Sequence, residues 1–598
     1  MKISFLYILF LGLIVFNIDN IKAQQKTFIN YTVSMENPEQ HKFQVSMETT
    51  ITETSDFVMP IWTPGYYQKM NFAQYVSDFD VRDKAGSAVT WKKRDENTWT
   101  ISADKQTLVT ITYNVKATRA FVASSYLGID RGYIIPGALF LYPEGKINEA
   151  SKVQIKPINN WTVATGLLKL KDKPFTYYAS DYDILYDSPL LVGPLESLPS
   201  FTVKGIPHYF VGYKMGDFDK EKFIADVKKI VESASDLIGH IPYQDYTFIA
   251  IGPGQGGIEH LNSTTISFDG GGLTTADGRN KLYNFIAHEY FHHYNVKRIR
   301  PIELGPFDYK KGSRTNMLWV SEGLSVYYEY LVVKRAGLMT EGQLYDNFKN
   351  NIIAFENKPG RHFQSLIQAS YNTWSDGPFG RNEDEINRTI SYYDKGPVVG
   401  MLLDFKIRNA TNNQKSLDDV MRKMYTKYYQ QLKRGFTEAE FRTETEKIAG
   451  TDLTELFEYT TTTKELDYQK YLNYAGLNID TVTRVLPTSY TGIKTRMRND
   501  SLVVSNVDYE SPAWIAGIRN RDVILTLGQT AVNVQSILDI EKNKKANEII
   551  TFNILQGGVK KEVNLKLENK LNKSFTISRK ENLTELQRRI LESWLTKN

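Results

Sequence analysis

The stretch Ile286-Ala287-His288-Glu289-Tyr290-Phe291-His292-His293-Tyr294-Asn295 constrains this chain more than any other. His288 and His292 stand four apart with a carboxylate beside the first, the pattern H-E-x-x-H. A helix makes that spacing useful, because i and i+4 share a face with Cβ atoms about 5–6 Å apart. Two such imidazoles can share one zinc ion at about 2.0–2.1 Å, which leaves Glu289 beside the metal's open position. Leu282, Phe285 and Ile286 form an apolar stripe leading to His288, Asp277 is placed to cap the start, and Pro301 forbids continuation. Only 8 histidines occur in the chain, and His260, His288, His292 and His293 lie close together in sequence, which favours a site over unrelated core histidines.

A catalytic zinc takes three protein ligands and keeps one position for water. His293 points about 100° away from His292 on a helix and cannot be the third. A third histidine six residues after His292 is also excluded, because that position is Arg298. A carboxylate from elsewhere is required. Trp319-Val320-Ser321-Glu322-Gly323-Leu324 is the best source: Ser321 is expected to cap a helix whose first turn holds Glu322, with Leu324, Tyr328 and Leu331 packing inward. Glu303 and Glu329 remain alternatives, and a first-turn glutamate can also simply offset the helix dipole.

The chain has no cysteine, which excludes disulfides, thiolate catalysis and thiolate metal sites. A net charge of +5 in 598 residues is too balanced to argue for nucleic acid. Residues Ile3–Phe16 are almost wholly apolar, follow Lys2 and lead to Ile21-Lys22-Ala23-Gln24, the shape of a secretory signal cleaved after Ala23. No other run approaches the ~20 apolar residues of a membrane span, so the expectation is an exported chain, periplasmic or extracellular, with no span after signal removal.

From residue 24 to 203 short alternating runs such as Phe28–Val33 and Leu108–Tyr113, punctuated by Pro64-Gly65, predict an all-β domain. From 204 to 478 a helix at Lys220–Leu237 and a strand at Tyr246–Ile251 lead into mostly helical sequence. Strands return over 485–568, and 569–598 contains an amphipathic helical tail. Gly252-Pro253-Gly254-Gln255-Gly256-Gly257 satisfies G-x-G-x-x-G, yet strand-like Thr264–Phe268 follows where a dinucleotide site needs a helix. No G-x-S-x-G elbow or Walker phosphate loop is present.

H-E-x-x-H followed by Ser321-Glu322-Gly323 and Tyr327-Tyr328 resembles the gluzincin metallopeptidases. Gly256-Gly257-Ile258-Glu259-His260 is similar to the G-x-M-E-N motif of aminopeptidase N relatives, and Tyr393-Asp394-Lys395-Gly396 to their Y-x-K-G motif. Ile258 stands where those relatives have methionine, and His260 where they have asparagine. With the run His288–Pro301, these motifs resemble the glycyl aminopeptidase family most closely. The resemblance implies a thermolysin-like catalytic domain, one zinc per chain held by His288, His292 and Glu322, and peptide substrates with a free N-terminus. It further implies Glu289 as general base towards a zinc-activated water, Tyr393 as oxyanion donor, and Gly256, Gly257, Glu259 and His260 as substrate-binding residues, Glu259 holding the α-ammonium. Preference for N-terminal glycine or alanine is implied in the same way. The alternatives are a zinc endopeptidase, and a peptide-binding protein with a vestigial metal site.

Ser511-Pro512-Ala513-Trp514-Ile515-Ala516-Gly517 through Asp522–Leu527 resembles the core of PDZ domains, which places Thr491, Gly492 and Ile493 in a loop that would hold a peptide's terminal carboxylate. The fold class expected is thus multidomain α+β: an N-terminal β domain, a mixed α/β then helical catalytic domain, and a PDZ-like module open to a peptide or protein ligand.

Overall fold

The computed structural model describes residues 28–381 and 383–596, so the expected signal at 1–23 lies outside the described residues. Residues 29–193 build sheets of seven, five and four strands. In the largest, Ile29–Ser34 pairs antiparallel with Lys42–Ile51 and parallel with Ser151–Lys156. The two-residue period does the sorting: Phe43, Val45 and Met47 of Lys42–Ile51 are buried while their neighbours are more exposed. Ile249, Ile251 and Ile258 from the next unit join this core, so the two units meet as one packed interior.

The second unit begins with a mixed sheet. Strands β1 (Ile206–Gly212), β2 (Tyr246–Ala250) and β4 (Ser263–Ile266) run parallel, and β3 (Gly257–Glu259) pairs antiparallel with β4 at the edge. Glu196–Ser197 and Phe201–Val203 also pair with β1, so a boundary at 203/204 would cut through this sheet. The glycine-rich stretch therefore leads into a strand. Helix α1 (Lys220–Ile238) packs on α2 (Ala276–Phe291), and α2 packs on α3 (Leu324–Arg335), which lies against α4 (Tyr392–Ala410). Thr275, rather than Asp277, caps α2 by accepting from the Gly278 amide. The helix ends at Phe291, well short of Pro301.

Beyond the helices, β5 (Leu477–Tyr490) and β7 (Glu568–Arg579) pair antiparallel as a two-stranded ribbon. Between them lies a small sheet starting with β6 (Ile493–Arg498), covered by helix α5 (Ser536–Asn543) and built on its own core. The expected domain bounds at 478, 485 and 568 are thus corrected to a ribbon carrying the chain out and back. The tail helix α6 (Glu585–Leu595) returns to the catalytic core, with Ile590, Leu591, Trp594 and Leu595 buried there. Among the described residues, no helix is long and apolar enough to cross a membrane.

Candidate active site

His288 and His292 project from the last turn of α2, as the i, i+4 spacing requires, with their Nε2 atoms 2.8 Å apart. Glu322 completes the cluster: its Oε2 lies 3.2 Å from His292 Nε2 and 3.6 Å from His288 Nε2. All three side chains are buried. Glu303 is elsewhere, accepting from the Thr315 hydroxyl. Glu329 lies on the far side of His288, 2.8 Å from its Nδ1. His292 places Nδ1 2.8 Å from the Asn295 carbonyl. Each imidazole thus faces an acceptor through Nδ1 and turns Nε2 inward, the arrangement that fixes a metal-binding tautomer.

The backbone that delivers Glu322 is not a capped helix start. Trp319–Gly323 form a π-helical turn continuous with α3, so the expectation of a Ser321 cap fails, and the Ser321 hydroxyl has no partner. A π turn leaves carbonyls out of the ordinary i→i−4 ladder. The Asn295 amide donates to the Val320 carbonyl, the Ser321 carbonyl and the Ser325 hydroxyl, tying the turn to the end of the histidine helix.

Charge in the cluster fits a cation. Burial works against the imidazolium of His288, yet Glu322 and Glu329 raise its pKa well above the ordinary value. Burial also works to raise Glu322, but His292 and His288 hold it below the usual carboxylate range. Two nitrogens and a carboxylate oxygen converging on one point, drawing positive charge, are the donor set of zinc with a position to spare.

Glu289 is buried beside this centre, and burial pushes its carboxyl up to about 7 against the pull of His288 and His292. The Thr264 hydroxyl is 3.4 Å from its Oε2. A Cβ at Gly257 would collide with that carboxylate, so the second glycine of Gly256-Gly257 is needed for β3 to run this close to α2. Two residues on, Glu259 is 4 % exposed and its Oε1 has no hydrogen-bond partner. A buried carboxylate oxygen without a partner is costly, so the residue is poised for a donor that arrives from outside.

His260 is buried with Nδ1 3.4 Å from Asp187 Oδ1. Asp187 also pairs with Lys297 at 2.6 Å and accepts from the Leu261 amide at 2.7 Å, anchoring the end of β3. Tyr393 lies in the first turn of α4, its ring centroid 6.3 Å from that of His288. Burial, then Glu322, raises its pKa, so the hydroxyl remains a donor. The neighbouring Tyr392 instead places its hydroxyl 3.1 Å from that of Thr373. His293 packs between Tyr290 and Tyr294, and burial drives it neutral. A cavity of about 740 Å³ is lined by Pro64, Asp187, His240, Leu261, Lys297 and Arg300 among others, and by none of His288, His292 and Glu322.

Thr491, Gly492 and Ile493 are remote in function from this cluster and differ from the expected open carboxylate loop. The Thr491 amide and hydroxyl both donate to Glu541 of α5, at 2.9 and 2.7 Å. The Ile493 amide donates to the Thr491 hydroxyl. A carboxylate from the chain itself therefore occupies the loop.

Residues 30–194 match the family model described as the Peptidase M61 N-terminal domain, 281–399 that of M61 glycyl aminopeptidase, and 489–567 that of a PDZ domain. Curated protein sequences gave no match. The fold is similar to that of an aminopeptidase N family protein from Idiomarina loihiensis, with 24 % identity, TM-score 0.83, and 95 % of this chain and 100 % of that one covered. An M1 zinc metallopeptidase from Deinococcus radiodurans aligns more distantly, with 12 % identity, TM-score 0.48, and 74 % and 94 % covered. Two successive M61 models thus match, the second spanning a buried His-His-Glu cluster suited to zinc: the chain is a zinc metallo-aminopeptidase similar to the M61 glycyl aminopeptidases.

Proposed function

We propose that this chain is exported and removes single residues, glycine or alanine by preference, from peptides with a free N-terminus. Glu259 carries the reading. Its buried, unpartnered Oε1 on the edge strand is suited to pair with an α-ammonium, an interaction available only to an unblocked peptide. With the ammonium held there, the first peptide bond falls beside Glu289 and the metal donors.

One zinc, held by His288, His292 and Glu322, would polarise the scissile carbonyl and bring a water's pKa near neutrality. Glu289 takes a proton from the attacking water and delivers it to the leaving amine, a task suited to a carboxyl that burial has raised. The Tyr393 hydroxyl donates to the carbonyl oxygen as negative charge develops on it. Glu329 and the Asn295 carbonyl keep the imidazoles oriented. Gly256, Gly257 and His260 shape the strand along which the peptide lies.

Export rests on the apolar run Ile3–Phe16 and the Ala23 cleavage pattern. The test combines zinc content with product analysis over a panel of free-amine and N-blocked peptides. About one zinc per chain and release of single N-terminal residues is the expected result. Cleavage at internal bonds of blocked peptides would instead make this an endopeptidase.

A further inference from the structure

The cavity of about 740 Å³ borders both folding units and is lined by none of Glu259, Glu289 and Tyr393. Pro64, Asp181 and Asp183 reach it from the N-terminal unit, and Leu261, Arg300 and Lys433 from the catalytic unit. Its volume falls within the roughly 300–1,000 Å³ of small-molecule sites, which favour the seams between domains.

Most charged groups along this wall already have partners. Lys297 pairs with Asp187 at 2.6 Å, and Arg434 with Glu440 at 2.7 Å. Arg298 donates to the Leu261, His293 and Pro242 carbonyls. Asp181 accepts from the Ile184 amide and the Ser180 hydroxyl, each at 2.8 Å. Lys433 is exposed to solvent. Arg300 and Asp183 remain.

The Arg300 guanidinium is half-buried and held by packing. A Cβ at Gly305 would overlap it, and the Phe307 ring centroid is 5.7 Å from its Cζ. Among the described residues, none accepts a hydrogen bond from it or forms an ion pair with it. Asp183 accepts from the Tyr309 hydroxyl at 2.6 Å through Oδ1 and pairs with no cation. Burial lowers the Arg300 pKa and raises that of Asp183, and each group feels the other's charge without contact. Two opposite, partly desolvated charges on one cavity wall, apart from each other, suit a ligand that carries both signs itself.

We propose that this cavity binds a small zwitterion, a free α-amino acid or a short peptide with both termini free, its carboxylate on Arg300 and its ammonium on Asp183. Glu259 and the metal donors take no part, so the site does not rest on the N-terminal trimming proposed above.

The test titrates ligands by calorimetry into full-length, zinc-loaded protein carrying Glu259→Ala and Glu289→Gln, which removes the active site's ammonium anchor and its turnover. Leucine and leucylglycine should bind, and the tighter of the two names the source, an amino acid or a peptide. N-acetyl-leucine lacks the ammonium and leucinamide the carboxylate, so each should bind about 10-fold more weakly than leucine or worse, the scale of one charge-assisted contact. Adding Arg300→Gln or Asp183→Asn to the protein should weaken leucine by a similar factor. If Arg300→Gln does not give a cooperative melt, Asp183→Asn, which keeps an acceptor for Tyr309, decides alone.

No binding of leucine or leucylglycine up to their solubility would overturn the proposal. So would leucine binding left unchanged by Arg300→Gln or by Asp183→Asn in a folded protein. Equal binding of N-acetyl-leucine would reduce the cavity to a plain anion site, and equal binding of leucinamide to a cation site; either result overturns the zwitterion.

Discussion

Glu289 and Glu322 occupy the same buried centre and do different work there. Glu289 is proposed to move a proton and not to bind metal, so Glu289→Gln should retain about one zinc and lose turnover by roughly 10²–10⁴-fold. Metal analysis beside a rate measurement checks this, and comparable activity in the variant would remove the mechanism. Glu322→Ala leaves two imidazoles and should lose zinc on dialysis against a chelator, whereas Glu303→Ala should keep it. Glu329→Gln is expected to fall between them, weakening zinc by about 10–100-fold, because it changes only the group behind His288 Nδ1. The two histidines and Glu289 are legible in sequence because one helical turn assembles them. Glu322 is legible as the best-placed downstream carboxylate, and the resemblance sets it further above Glu303 and Glu329. The role of Glu329 could not be read at all, since it depends on which side of the imidazole α3 passes. Arg300 carries no sequence signal as a site residue, because a different folding unit brings Asp183 to the cavity that both line.

Periodicity located the helices better than their ends. The π turn at Trp319–Gly323 is held by Asn295, a residue beyond the histidine helix, so no local pattern around Ser321 reveals it. Helix α4 opens ahead of Pro397, at Tyr392, and carries that proline inside its first turns, where few amide hydrogen bonds are lost. This start puts Tyr393 into the helix and against the metal donors. The tail helix α6 is held by one aromatic anchor. Trp594 is fully buried, donates to the Tyr327 hydroxyl at 3.0 Å, and packs on Phe405 and Phe348. Trp594→Ala should cost about 3–5 kcal/mol, read as a lower denaturation midpoint of the catalytic unit. The PDZ module offers a contrasting case. With Glu541 on the Thr491 amide, native protein should bind peptides ending in a free carboxylate no better than their amidated forms. Glu541→Ala should open a preference for the free carboxylate, measurable by fluorescence anisotropy.

At the scale of the molecule, the β unit and the catalytic unit share an interior, and β3 lies at their seam. Ile258 belongs to the N-terminal unit's core while the charge of Glu259, its neighbour, is felt by Glu289 and His292. The order of the parts was readable from composition and from the return of strands after residue 485. Their joints were not, because strand pairing across Ile206–Gly212 and along the ribbon β5–β7 depends on partners distant in sequence. The account turns on that seam and on the charge it presents. If Glu259 pairs with a free α-ammonium, an N-acetylated peptide leaves a buried carboxylate unpaired, a loss of about several kcal/mol. The direct measurement is kcat/KM for one peptide, free and acetylated, on the native enzyme and on Glu259→Ala. The native enzyme should favour the free peptide by roughly 10²-fold or more, and Glu259→Ala should lower that ratio by most of this amount through slower cleavage of the free form. An equal rate on both forms by the native enzyme, or a ratio unchanged in the variant, would contradict the account.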